Sequence, residues 1–150
     1  MLIVVQRVKN SSVEIDGKLI SKIEHGLNVL VGICEGDQRE DAELLGDKIV
    51  NLRCFEDDQG KMNLSILDKR GSILSIPQFT LCADCTKGRR PSFNNAAHPT
   101  EAKELYNYFN EFIEQHDVQL ETGRFGAYME VNIGNDGPVT FVLDSKNMTP

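Results

Sequence analysis

The chain predicts an α+β domain built on a mainly antiparallel sheet, and three observations point there. Apolar, β-branched runs bounded by turn residues cluster at both ends of the sequence, over residues 2–33 and 118–143. Two segments of helical periodicity lie between them. No repeat, linker or low-complexity stretch interrupts the 150 residues, so 1–150 reads as one domain, long enough to bury a core. Such a chain packs most simply with its helices on one side of the sheet.

In order, residues 2–8 and 12–15 read as strands, and Asp16-Gly17 is a hairpin signal. A strand returns over 19–23, His25-Gly26 turns, and 27–33 is an apolar strand. Asp37, with Glu40 three residues on, is a variant capping box that opens a helix to about Leu52, with Leu45, Ile49 and Leu52 on one face. Residues 53–56 form a short strand before an acidic turn at Gly60. Ile73, Leu74 and Ile76, between Gly71 and Pro77, make a buried strand. A second helix starts near Thr100, with Glu101 in its first turn, where negative charge suits the helix dipole. Leu105, Tyr108, Phe109, Phe112 and Ile113 form one apolar stripe, a core face rather than a platform for stacking bases. Strands follow over 118–122, 128–133 and 139–143, and the polar tail from Ser145 is expected to fray.

No apolar run approaches the roughly 18 residues of a membrane helix. The start, Met1-Leu2-Ile3-Val4-Val5, lacks the basic residues and length of a signal segment, so a cytoplasmic protein is expected. A net charge of −7 weighs against a partner tracked along its phosphates, DNA included. The bases, however, are grouped at residues 87–90 while the acids lie at 35–43, 56–58 and along the second helix. A local positive patch can hold an RNA end on an otherwise acidic surface.

Four cysteines stand at 34, 54, 82 and 85. Cys82 and Cys85 form a lone C-x-x-C without a second pair, so no metal ligand set and no cofactor is expected. Nor does that motif open a helix, as a redox pair would, and all four cysteines are expected to be reduced.

The most informative stretch is 72–93. A buried strand runs into Gln78-Phe79-Thr80, where polar groups capable of chemistry alternate with a large apolar one. A tight basic loop, Lys87-Gly88-Arg89-Arg90-Pro91, follows at once. Strand, polar turn and positive loop suit an anionic substrate; on spacing alone, an ordinary strand and solvated loop is the favoured reading. There is no G-x-S-x-G, and no histidine lies near Thr80 in sequence to serve as its base.

Gln78-Phe79-Thr80-Leu81, residues 87–93 and Asn135-Asp136-Gly137-Pro138-Val139-Thr140 resemble the D-aminoacyl-tRNA deacylases. Gln6-Arg7-Val8, Gly60-Lys61-Met62-Asn63 and Thr122-Gly123-Arg124-Phe125 extend that resemblance over essentially the whole chain. One departure is Pro77, where the family usually has serine. The resemblance implies a compact β/β/α homodimer with its active site at the subunit interface. It implies hydrolysis of the ester between a D-amino acid and tRNA, with glycyl-tRNA as a further substrate. Main-chain groups around Gln78, Phe79 and Thr80 would be catalytic, helped by the RNA's 2′-hydroxyl. Gly137 and Pro138, as a Gly–cis-Pro pair entering the partner's pocket, would reject L-amino acids. Phe125, Met129 and Arg7 would complete the substrate site, and Lys87, Arg89 and Arg90 would meet RNA phosphate. A non-catalytic tRNA-binding module using the same loop is the competing expectation.

Overall fold

The structure, a computed structural model, describes residues 1–149. β1 (Leu2–Ile15) runs unbroken through the first two expected strands and turns into β2 (Lys18–Ile23), followed by β3 (Gly26–Gly32). Next come α1 (Arg39–Asn51), a small hairpin of β4 (Phe55–Glu56) and β5 (Met62–Leu64), and the one-turn α2 (Ile66–Lys69). β6 (Ser72–Pro77) leads into a 3-10 turn at Phe79–Cys82. α3 (Pro99–Glu114), β7 (Gln119–Thr122), β8 (Glu130–Asp144) and a 3-10 turn at Ser145–Asn147 complete the fold.

β1 is antiparallel to β2, β3 and β8. β3, β6 and β7 are instead parallel neighbours, so the sheet is mixed. The reason lies in the connections: α1 falls between β3 and β6, and α3 between β6 and β7. A crossover through a helix is how parallel strands are joined. Apolar alternation shows where strands lie but carries no pairing direction. α1 and α3 pack on each other, and Leu45, Ile49, Leu105, Phe109 and Ile113 meet Val29 and Ile73 of the sheet in one core. The α3 stripe is rotated slightly from the expected one: Tyr106 is buried, while Tyr108 and Phe112 are half-buried.

Local caps also differ. α1 is capped by Gln38, whose N–H donates to Asp41 Oδ2 at 2.8 Å. Asp37 instead accepts from the Cys34 N–H and the Met1 ammonium, each at 2.6 Å. α2 is too short to impose an apolar period on the sequence, yet Ser65 and Asp68 form a full capping box, Ser65 N–H to Asp68 Oδ2 at 2.8 Å and Asp68 N–H to Ser65 Oγ at 3.2 Å. The tail is anchored at its start: Ser145 is buried, and its Oγ accepts from the Met1 ammonium at 2.8 Å. Pro150 lies outside the described residues.

The expectation of reduced cysteines needs correction. Cys34 and Cys82 form a disulfide with Cα atoms 5.7 Å apart, while Cys54 (buried) and Cys85 (exposed) are free. Adjacent parallel strands explain it, because the chain leaves β3 and β6 at the same end and brings positions 34 and 82 together. Among the described residues, no helix is long and apolar enough to cross a membrane.

Candidate functional site: a cleft beyond the ends of β3 and β6

Ligands in sheets with parallel strands favour the crevice beyond the carboxyl ends of those strands. Here that place is a cavity of about 650 Å³. Its floor is Val31, Ile33, Ile76 and Pro77, continued by Gln78 and Phe79. One wall comes from Phe93 and the segment entering α3, including Ala97, His98 and Ala102; the other is Phe125, Gly126, Ala127, Tyr128 and Met129. The lining is largely apolar, which suits a hydrophobic amino-acid side chain.

The turn at Phe79–Cys82 is held from beneath. Gln78 N–H donates to Val31 O at 2.7 Å, and Leu81 N–H to Gln78 O at 3.2 Å. Among the described residues, the N–H groups of Phe79 and Thr80 have no hydrogen-bond acceptor, so two backbone donors stay free in the turn, whose Phe79 lines the cleft. Phe79 is exposed and meets Phe93 edge-on, ring centroids 5.2 Å apart. The Thr80 hydroxyl accepts from the Gln78 side-chain amide and lies outside the cavity lining.

Pro77 fits this geometry without loss. Val31 stands opposite Pro77 in the ladder, and the bond to its carbonyl is made by the next N–H, that of Gln78. On the other side, the β6–β7 pairing ends at Ser75 and Thr122. A proline nitrogen therefore sits where neither neighbour needs a donor.

Gly137 and Pro138 stand apart from the cleft, exposed, joined by a cis bond. Their displacement follows from register: Gln6 pairs with Thr140 and Val8 with Asn135, so Arg7 alone faces residues 136–139. That segment bulges off the ladder. Arg7, only 7% exposed, lies beneath it. Its Nε donates to Asp136 O at 3.1 Å, and its Nη1 to Cys54 O at 2.9 Å. With an ion pair from Nε to Asp136 Oδ2 at 3.5 Å as well, Arg7 is committed to protein partners, bracing the bulge and tying it to residue 54. Gly137 has a φ of +134°, and a Cβ there would meet Val139 N at 2.8 Å. Only glycine occupies it without displacing backbone.

Lys87, Arg89 and Arg90 are exposed and, among the described residues, make no ion pair. Their loop is closed at its base by paired hydrogen bonds between Asp84 and Ser92, at 2.8 and 2.9 Å, one residue before Phe93 enters the cleft. Hydrogen bonds from the Thr86 hydroxyl and N–H hold the Asp84 carboxyl below its usual range.

Of the expected residues, the structure gathers Gln78, Phe79, Phe125 and Met129 in one cleft. It leaves Gly137, Pro138 and Arg7 at a second place and the basic loop at a third. Phe93, His98 and Tyr128 were missed, although they line the cleft. The only signal for His98 was its place one residue before the proline that opens α3, and there it caps the helix, Nδ1 accepting from Thr100 N–H at 3.4 Å. Among the described residues, no group of three or more His, Cys, Asp or Glu could hold a metal ion.

Comparison with known proteins gives the site its context. The chain is 54% identical over 149 residues to a D-aminoacyl-tRNA deacylase of Thermosipho melanesiensis, covering 99% of both. It is 53% identical over 146 residues to a protein of the same name from Bacillus cytotoxicus, covering 97% of this chain and all of that one. A solved structure named c-Myc DNA Unwinding Element Binding Protein superposes with a TM-score of 0.91 at 43% identity, covering 96% of this chain and 98% of the other. Residues 4–144 match the sequence profile described as D-Tyr-tRNA(Tyr) deacylase. On that match, the chain belongs to the D-Tyr-tRNA(Tyr) deacylase family.

Proposed function

We propose that this protein, as a single-domain cytoplasmic homodimer, hydrolyses the ester joining a D-amino acid to the 3′ end of tRNA. One observation carries the reading: free backbone donors at Phe79 and Thr80 beside an apolar cleft, in a chain of this family. An aminoacyl ester is already activated, so positioning and stabilisation of the oxyanion supply most of the catalysis. Water adds to the carbonyl carbon, and the negative charge develops on its oxygen near the Phe79 and Thr80 N–H groups. The bond to the ribose oxygen then breaks, and that oxygen takes a proton as tRNA leaves. The neighbouring 2′-hydroxyl of the RNA assists this transfer. No metal or organic cofactor enters the step.

Phe125 and Met129 hold the amino-acid side chain. Gly137 and Pro138 act from the second protomer, entering its neighbour's cleft where an L side chain would go. Shape exclusion suits this task, because a better apolar fit discriminates by only about 1–3 kcal/mol. Arg7 positions that bulge rather than touching substrate, a change of role from the sequence reading that its two carbonyl bonds support. An achiral glycyl ester has no side chain to exclude and is accepted as well. Lys87, Arg89 and Arg90 hold phosphate near the acceptor end, which fits a net charge of −7 better than contact along a DNA duplex.

The test is single-turnover hydrolysis of purified D-tyrosyl-tRNA in the presence of chelator. Release of D-tyrosine is the expected result. A protein that binds the charged tRNA and leaves its ester intact would be a binding module, and the proposal would fail. Activity lost on chelation and restored by zinc would overturn the metal-free step.

A further inference from the structure

The disulfide lies against the proposed catalytic turn, and nothing in the deacylation step uses it. Cys82 is the last residue of the Phe79–Cys82 turn, and Cys34 follows the end of β3 by two residues. The turn rests directly on β3: a Cβ at Gly32 would meet Leu81 Cβ at 2.8 Å and Gln78 O at 3.2 Å. The bridge therefore fastens the carboxyl end of the turn to the strand that carries its amino end through the Gln78–Val31 hydrogen bond. Both sulfur-bearing residues are largely covered, yet both line a separate, predominantly polar cavity of about 410 Å³ with Met1, Glu35, Ala83 and Lys146. A small thiol or disulfide can reach them there, past a wall that carries Lys146 together with Glu35 and Asp144. The other cysteines are differently placed. Cys54 is buried in the main core, where desolvation pushes its thiol up to about 11. Cys85 is exposed and free.

We propose that Cys34 and Cys82 form a reversible thiol–disulfide site whose co-substrate is a low-molecular-weight disulfide or thiol, and that its oxidised state holds the Gln78-Phe79-Thr80 turn in working position. In the oxidising direction, one cysteine thiolate attacks a small disulfide RSSR, breaking its S–S bond and releasing one RS⁻. The second cysteine thiolate then displaces the other RS⁻ from the mixed disulfide. The protein loses two electrons, RSSR gains them, and the protons of the two cysteine thiols end on two RSH. Reduction reverses each step. The effect on activity rests on the deacylase reading; the redox site does not.

The experiment equilibrates the protein across a series of reduced and oxidised glutathione ratios. Each sample is alkylated for mass spectrometry, melted, and assayed on D-tyrosyl-tRNA. The expected result is one transition, in which the Cys34–Cys82 link forms, Tm rises by about 5 °C or more, and kcat rises several-fold. Cys34→Ser and Cys82→Ser should each stay at the reduced-form Tm and rate at every ratio, while Cys85→Ser keeps the wild-type transition. Thiols that remain alkylatable throughout overturn the proposal. So does a Cys82–Cys85 link, or a Cys34–Cys82 link that moves neither Tm nor rate. A transition in linkage and Tm with no hydrolysis at any ratio supports the redox site and overturns the deacylase reading instead.

Discussion

At the scale of single residues, the useful distinction is between a side chain and its own backbone. Thr80 has a hydroxyl engaged by Gln78 and an N–H that is free, so the amide is the group available for an oxyanion. Thr80→Ala should keep its rate within about tenfold, since loss of a true oxyanion donor costs about 10²–10³. A fall on the order of 10⁴, with an acyl group trapped on wild-type Thr80, would make it a nucleophile instead. Cys54 gives a prediction of another kind. Desolvation raises its thiol from 9.0 to about 11 in the fold, opposed by its own backbone hydrogen bond and by Arg7. A raised value means that the folded state keeps the proton longer than the unfolded chain does. The associated stability is fully present below pH 9.0 and lost as pH rises through about 11. Between those limits the wild type should lose up to about 3 kcal/mol relative to Cys54→Ala, read as the difference between two urea-denaturation series. Parallel series would contradict the assignment. Some of this was readable beforehand: a polar triplet at the end of an apolar run announced Gln78 and Thr80. The role of Arg7 was not, because its partners are the carbonyls at 54 and 136 and the Asp136 carboxylate, which only the folded register brings to it.

At the scale of elements, the bulge of residues 136–139 and the basic loop are independent attachments to one sheet. Arg7→Ala removes the donor to two carbonyls and should cost about 1–3 kcal/mol of stability by chemical denaturation. An unchanged midpoint would mean that the brace carries no weight. For the loop, replacing one of Lys87, Arg89 or Arg90 should flatten the plot of log binding constant against log salt by about one unit or less. An unaltered slope after replacing all three would remove the loop from the RNA interface. Element positions were largely legible because burial imposes its period on the sequence: residues 100–113 show α3 clearly. Pairing was not. Residues 27–33 and 72–77 read equally well in either direction, and what makes them parallel is the 13-residue α1 between them. The same gap hid the disulfide, whose cysteines are 48 positions apart and meet only once β3 and β6 lie side by side.

At the scale of the whole molecule, the proposed site is divided within one chain. The cleft gathers Gln78, Phe79, Phe125 and Met129, while Gly137 and Pro138 stand exposed elsewhere, and the proposed function calls on a second copy to unite them. The motifs of both halves were visible in the sequence, but their separation was not, since it depends on which side of the sheet each loop leaves. Chiral selection is the property that only the united site would have. Gly137→Ala places a Cβ 2.8 Å from Val139 N and must shift the bulge, leaving the Gln78–Thr80 turn untouched. The most direct measurement is therefore the ratio of single-turnover rate constants for D- and L-tyrosyl-tRNA, in wild type and in Gly137→Ala. The wild type should hydrolyse the D ester at least about 10³-fold faster, beyond the roughly 10–200-fold that apolar fit supplies per methylene. Gly137→Ala should lose most of that ratio. A variant that still destroys the D ester and spares the L ester as the wild type does would contradict the account.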